Sequence, residues 1–184
     1  MSEDYYNFSY TIVQEADIPR SIILWNMLDF GHVNFVHKSS YKYCKVLAKQ
    51  GNVTLLEYGA NQFLNKLFPF TVKHTMWHQF NAPGTITHLS KNHLTGAYTK
   101  VRMEISEFVK DGKKHSRIEH TFWFHLPFFI KPFKGIITKY LERWSEQLWQ
   151  EDLEMCRRRQ EALEGGFKDN PMDTLPRAKE GLLR

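Results

Sequence analysis

At 184 residues the chain can bury one substantial core but is short for two domains. Aromatic side chains make up 15% of it (14 Phe, 8 Tyr, 5 Trp), a supply that fills a core or lines an apolar pocket for a small organic ligand. The formal charge of +5 is dispersed. Its one basic cluster, Arg157 to Arg159, lies among Glu151, Asp152, Glu154, Glu161 and Glu164, which marks a solvated helix face and argues against a nucleic-acid surface.

Cys44 and Cys156 are the sole cysteines and form no CxxC, so neither a disulfide framework nor a thiolate-bound iron–sulfur cluster is expected. No apolar run reaches the ~18 residues of a membrane span. The first residues show no basic-then-apolar leader, so no membrane insertion is expected and the default location is cytoplasmic.

In chain order, residues 7–13 are rich in Tyr and β-branched side chains and read as a strand. Pro19 suits the first turn of a helix, with Asp17 as its cap, and Ile22, Ile23, Trp25, Met27 and Leu28 carry that helix toward Gly31. A second short helical piece spans 32–37. Strand-like runs follow at 41–48, 53–58, 70–80, 85–90, 98–109 and 116–125, separated by turn residues, with Lys-Asp-Gly-Lys as a hairpin signal. Residues 60–68 read as a loop or short helix. From about 129 to 163 the apolar period becomes helical (Ile137, Leu141, Trp144, Leu148, Met155), and Gly165-Gly166 is a stop signal. This order predicts a single α+β domain over 1–168, with 169–184 as a C-terminal tail.

The chemistry concentrates in Asp29, His32 and His37, a carboxylate and two imidazoles within nine apolar-flanked residues. Neutral imidazole is the commonest protein metal ligand, and two histidines with one carboxylate form the facial triad of non-haem iron(II) oxygenases. The same residues also have bland uses. Asp29 can cap a helix, and His32 can be a core histidine satisfied by a carbonyl. On one unbroken helix, His32 and His37 would diverge by ~140°, so joint ligation needs a helix end or bend between them.

The element order resembles the helix-grip fold of START domains, Bet v 1-like proteins and polyketide cyclases, in which a curved sheet grips a long C-terminal helix. Within that superfamily, Asp29-x2-His32-x4-His37 resembles the Asp-x2-His-x4-His segment of the catalytic domains of Rieske-type ring-hydroxylating oxygenases. The resemblance covers residues 7 to about 168. It implies that His32 and His37 bind iron and that Asp29 lies behind them, hydrogen-bonding a ligand and assisting electron or proton transfer. It also implies a further carboxylate ligand on the last helix. Asp152 is the matching position, four residues past Leu148 and eight past Trp144, and Glu151 is the substitute.

The chain departs from those oxygenases in lacking the Rieske domain and its [2Fe–2S] cluster, so an oxygenase cycle would need a separate electron donor or a reducing substrate. The expectation is a single-domain enzyme with one non-haem metal, iron(II) by preference and zinc as the alternative, acting on a hydrophobic small molecule. Two other functions stand beside it: a carrier for a lipid, polyketide or isoprenoid, and a metal-free cyclase or dehydratase using histidines as acid–base groups. Trp144 and Leu148 are expected to line the ligand cavity. His74 and His78 share a strand face and are expected to orient a polar ligand group or to be half-buried strand histidines; His120 and His125 point apart. The apolar run 122–137 reads as a buried strand end plus the start of a helix, with a lipophilic lid as the other possibility.

Overall fold

The computed structural model describes residues 5–60 and 71–166. Strand β1 (Tyr5–Ala16) leads to helices α1 (Arg20–Leu28) and α2 (Val33–Val36). Six strands follow: β2 (Tyr41–Gln50), β3 (Val53–Ala60), β4 (Val72–Asn81), β5 (Thr85–Asn92), β6 (Tyr98–Lys110) and β7 (Lys113–Pro127). A 3-10 turn (Phe128–Phe133) then leads into helix α3 (Lys134–Glu164). The seven strands form one antiparallel sheet in the order β1-β7-β6-β5-β4-β3-β2, so β2 to β7 are a meander and β1 closes its far edge against β7. The loop or helix expected at 60–68, apart from Ala60, and the strand start expected at residue 70 lie outside the described residues, as does the tail 169–184.

Alternation explains the sheet. On β6, Val101, Met103 and Ile105 turn inward while Arg102, Glu104 and Ser106 are exposed, the period-two pattern of a sheet covered on one face. The β6–β7 hairpin turns at Asp111 and Gly112, both at positive φ (52° and 73°), as a two-residue turn of matching twist requires. The expected Asp17 cap is not formed. Pro19 occupies the cap position of α1, Asp17 meets Arg157 at 3.4 Å, and Glu107 on β6 accepts the Arg20 backbone N–H at 3.1 Å.

Helix α3 starts at Lys134, later than the apolar period suggested, because Pro132 cannot donate into an α-helical ladder and the preceding segment winds as a 3-10 turn. Its buried stripe is Ser145, Trp149, Asp152, Leu153 and Cys156. The expected stop is seen: the Gly165 N–H bonds to the Glu161 carbonyl at 2.8 Å, and Gly166 takes a φ of 90°. The run 122–137 divides. Phe122 and Phe124 are buried, but Phe128, Phe129, Phe133 and Ile136 are each more than half exposed, so its strand part is core and the turn that follows is not.

Two apolar clusters lie along α3. Ile137 and Leu141 pack on Phe8, Phe122 and Phe124, while Trp149, Leu153 and Cys156 pack with Ile18, Ile23, Ile86 and Ile118. The helix positions between these clusters, Trp144, Ser145 and Leu148, line a cavity. No helix among the described residues is long and apolar enough to cross a membrane.

Candidate metal and ligand site

Three helices bring the triad together. Helix α2 is four residues long, with His32 at its N-terminal cap and His37 at its C-terminal cap, where the backbone leaves helical geometry (φ −97°, ψ 36°). That answers the spacing problem: the two histidines flank one short turn and do not ride a continuous helix. Their rings lie 5.1 Å apart edge to face, with the two Nε2 atoms at 3.2 Å. From the buried stripe of α3, Asp152 brings Oδ1 to 3.0 Å from His37 Nε2 and 3.4 Å from His32 Nε2. From α1, the buried Asn26 donates its Nδ2–H to the same Oδ1 at 2.8 Å.

Glu151 adjoins the triad. His37 Nδ1–H donates to its Oε2 at 2.7 Å, and Ser39 Oγ and Gln147 Nε2 donate to its Oε1 at 3.1 and 3.0 Å. Glu151 thus orients a histidine and is not the third member of the group. Asp29 is placed elsewhere than the resemblance implied. It caps the end of α1, its Oδ1 accepts the Gly31 N–H at 3.0 Å, and among the described residues it hydrogen-bonds neither histidine.

The local electrostatics follow from these contacts. Burial alone would raise the Asp152 pKa, but hydrogen bonds from His32, His37 and Asn26 prevail and hold it at about 2. Burial alone would lower that of His37, yet Asp152 and Glu151 more than offset it and the net shift is upward. Burial also opposes ionisation of Glu151, but His37, Gln147 and Ser39 outweigh it and its pKa falls.

Beside the triad lies a cavity of about 190 Å³ between α3 and the concave face of the sheet. Trp144 and Leu148 line it as expected, with Phe30, Tyr41, Tyr58 and Met76 among the other walls. This exceeds the ~150 Å³ of an apolar cavity that accepts benzene, so it has room for a substituted single ring. Tyr41 and Tyr58 are held as neutral phenols by burial, Tyr58 at about 12, and Tyr58 meets Ser90 Oγ at 2.7 Å. Cys44 reaches the wall as a free thiol that burial pushes up to about 11, so it supplies no thiolate.

His74 and His78 turn inward together, but the cavity lining does not include them. His74 stacks on its β3 partner Tyr58 at 4.8 Å, and His78 lies against Phe30 and its β5 partner His88, both at 4.7 Å. Tyr58 and His88 form the wall in their place. His120 also lines the cavity, while His125 sits on the opposite face beside Asn7. Gln14, Asn26 and His88 belong to no motif in the sequence. Each interrupts an otherwise apolar inward series, Asn26 after Ile22 and Ile23, and His88 after Ile86, and that interruption was the available signal.

No family model matches the sequence, and no curated protein matches it significantly. Solved structures do. The structure is similar to the Zhui aromatase/cyclase from Streptomyces sp. R1128, with a TM-score of 0.65 at 11% identity over 84% of this chain and 96% of that one. It is also similar to TTHA0849 from Thermus thermophilus (TM-score 0.63, 12% identity, 87% and 100% covered). A third is Ara h 8.0201 (TM-score 0.58, 10% identity, 82% and 98% covered). Likeness at such low identity speaks to fold. With seven antiparallel strands curved about a long C-terminal helix, the chain has the helix-grip α+β fold of START and Bet v 1-like proteins.

Proposed function

We propose that this protein binds a small hydrophobic molecule in the helix-grip cavity and acts on it at a single metal ion held by His32, His37 and Asp152. The observation that carries this reading is the mutual approach of His32 Nε2, His37 Nε2 and Asp152 Oδ1 at 3.0–3.4 Å at the cavity wall. Three lone-pair donors this close repel one another unless protons or a cation lie among them. Ligands bound at about 2.0–2.2 Å to one ion are separated by about 3.0 Å at right angles and about 3.4 Å at tetrahedral angles, so the donor set fits a metal. His37 also meets the usual requirement that a ligating histidine give its other N–H to a carboxylate, here Glu151. His32 does not, since its Nδ1 is buried without a partner among the described residues.

Bound there, iron(II) would supply oxygen chemistry and zinc a Lewis acid. The chain's own residues have definable tasks. Glu151 fixes the His37 tautomer, Asn26 fixes the Asp152 rotamer, and Trp144, Leu148 and Phe30 exclude water from the ligand.

A metal-free cyclase or a carrier is the second reading, and the structural neighbours favour it. The Zhui protein, similar in fold, is an aromatase/cyclase. In that case His37, hydrogen-bonded on both nitrogens by acids, would serve as a proton carrier. Elemental analysis of untagged protein, loaded anaerobically with iron(II) or zinc, separates the two. The metal reading expects about one equivalent in the native chain and under about a tenth in His32→Ala and His37→Ala. Under a tenth in the native chain would leave the metal-free reading.

A further inference from the structure

The sheet side of the cavity carries polar atoms that the triad does not use. Both amide atoms of Gln14, Nε2 of His88 and Nε2 of His120 are buried, with no hydrogen-bond partner among the described residues. All three side chains line the cavity, from β1, β5 and β7, and Gln14 is only 8% exposed. Burial keeps His120 at about 4 and His88 well below its ordinary value, so at neutral pH both rings are uncharged, each with one donor and one acceptor nitrogen. An unpaired buried polar group is costly, and native chains hold few of them. Three on one wall of one cavity call for a ligand that pairs them.

We propose that Gln14, His88 and His120 form a polar floor that recognises the hydroxyl or carbonyl oxygens of an uncharged, oxygenated cyclic molecule. The size follows from the cavity, whose 190 Å³ suits a substituted ring and is too small for a long acyl chain. Neutrality follows from the lining, which includes no Lys or Arg among the described residues and has Asp152 on the helix side, so a carboxylate ligand would lack a cationic partner. The inference rests on the cavity being the ligand site, as proposed above, and not on the metal.

Quenching of Trp144 and Trp149, both in the cavity wall, reads binding directly. Chelator-treated protein would be titrated with p-cresol, toluene and 4-methylbenzoate. The floor predicts p-cresol binding at least about tenfold tighter than toluene, the worth of one net hydrogen bond, and tighter than 4-methylbenzoate. Gln14→Met and His120→Phe should each shrink that preference while keeping toluene affinity, which doubles as the check on folding. Removing an unpaired polar group should leave their melting temperatures unchanged or higher.

Equal binding of p-cresol and toluene by the native chain would overturn the proposal. So would no p-cresol binding, or a preference untouched by both substitutions. A preference lost only in Asp152→Asn would move recognition to the triad and also overturn it. A preserved floor preference in a chain that takes up no metal would sink the metal reading and leave this one standing.

Discussion

His37 uses both ring nitrogens: Nδ1–H is held by Glu151 and Nε2 faces Asp152 and His32. Asn26 plays the matching part for Asp152, its side-chain Nδ2–H donating to Oδ1. Asn26→Ala should therefore weaken metal affinity about 10–100-fold, the usual effect of losing a partner behind a ligand, without abolishing binding. Competition with a chromogenic chelator measures it, and unchanged affinity would show that Asn26 serves packing alone. The spacing Asp29-x2-His32-x4-His37 and the helical phase of Asp152 made three of these side chains legible. Asn26 and the orienting role of Glu151 were not legible, because both depend on how α1, α2 and α3 meet in space, and no local pattern records that. Nor does local pattern record that Asp29 turns to the Gly31 N–H while Glu151 accepts the His37 Nδ1–H.

At the scale of elements, strand alternation and the helical period identified nearly every segment, since one-sided burial imprints them on the sequence. The start of α3 was misplaced because aromatic residues 128, 129 and 133 continue the apolar run through a 3-10 turn that exposes them. Cavity histidines were misassigned because parity gives the face of a strand but not which neighbour reaches deeper. Two glycines test the element packing in opposite directions. A Cβ on the buried Gly84 would lie 2.5 Å from the Ile105 carbonyl oxygen, beside the hydrogen bond from Ile105 N–H to the Gly84 carbonyl. Gly84→Ala should destabilise by about 1–3 kcal/mol, as overpacking does. On Gly135, in the first turn of α3, an added Cβ meets nothing, so Gly135→Ala should be neutral or stabilise by up to about 1 kcal/mol. Urea denaturation compares them, and a harmless Gly84→Ala would contradict the β5–β6 packing.

Over the whole molecule, the fold keeps several histidines uncharged. Burial holds His74, His78 and His120 at about 4 and His88 well below its ordinary value, against about 6.5 in an unfolded chain. Above pH 6.5 these four rings are neutral in both states and their contribution is complete. Between 6.5 and 4 the unfolded chain takes up protons that the folded one refuses, so stability falls at about 1.4 kcal/mol per unit for each such group. His37, shifted upward, contributes stability that is already full below pH 6.5 and is lost as pH rises through its folded pKa, so neither it nor Asp152, held at about 2, changes the slope in this window. Thermal unfolding of metal-free protein should show the melting temperature dropping steeply from pH 6.5 to 4.5. A flat profile would mean these rings are hydrated and titrate normally.

Anaerobic calorimetric titration distinguishes Asp152, which would complete a metal site with His32 and His37, from Glu151, which would only orient His37. Zinc or iron(II) would be titrated into the native chain, Asp152→Asn and Glu151→Gln, with circular dichroism confirming that each is folded. About one ion should bind per native chain, with about 10–100-fold weaker binding in Glu151→Gln and no measurable binding in Asp152→Asn. Full binding in Asp152→Asn, or none in the native chain, would rule out this metal site.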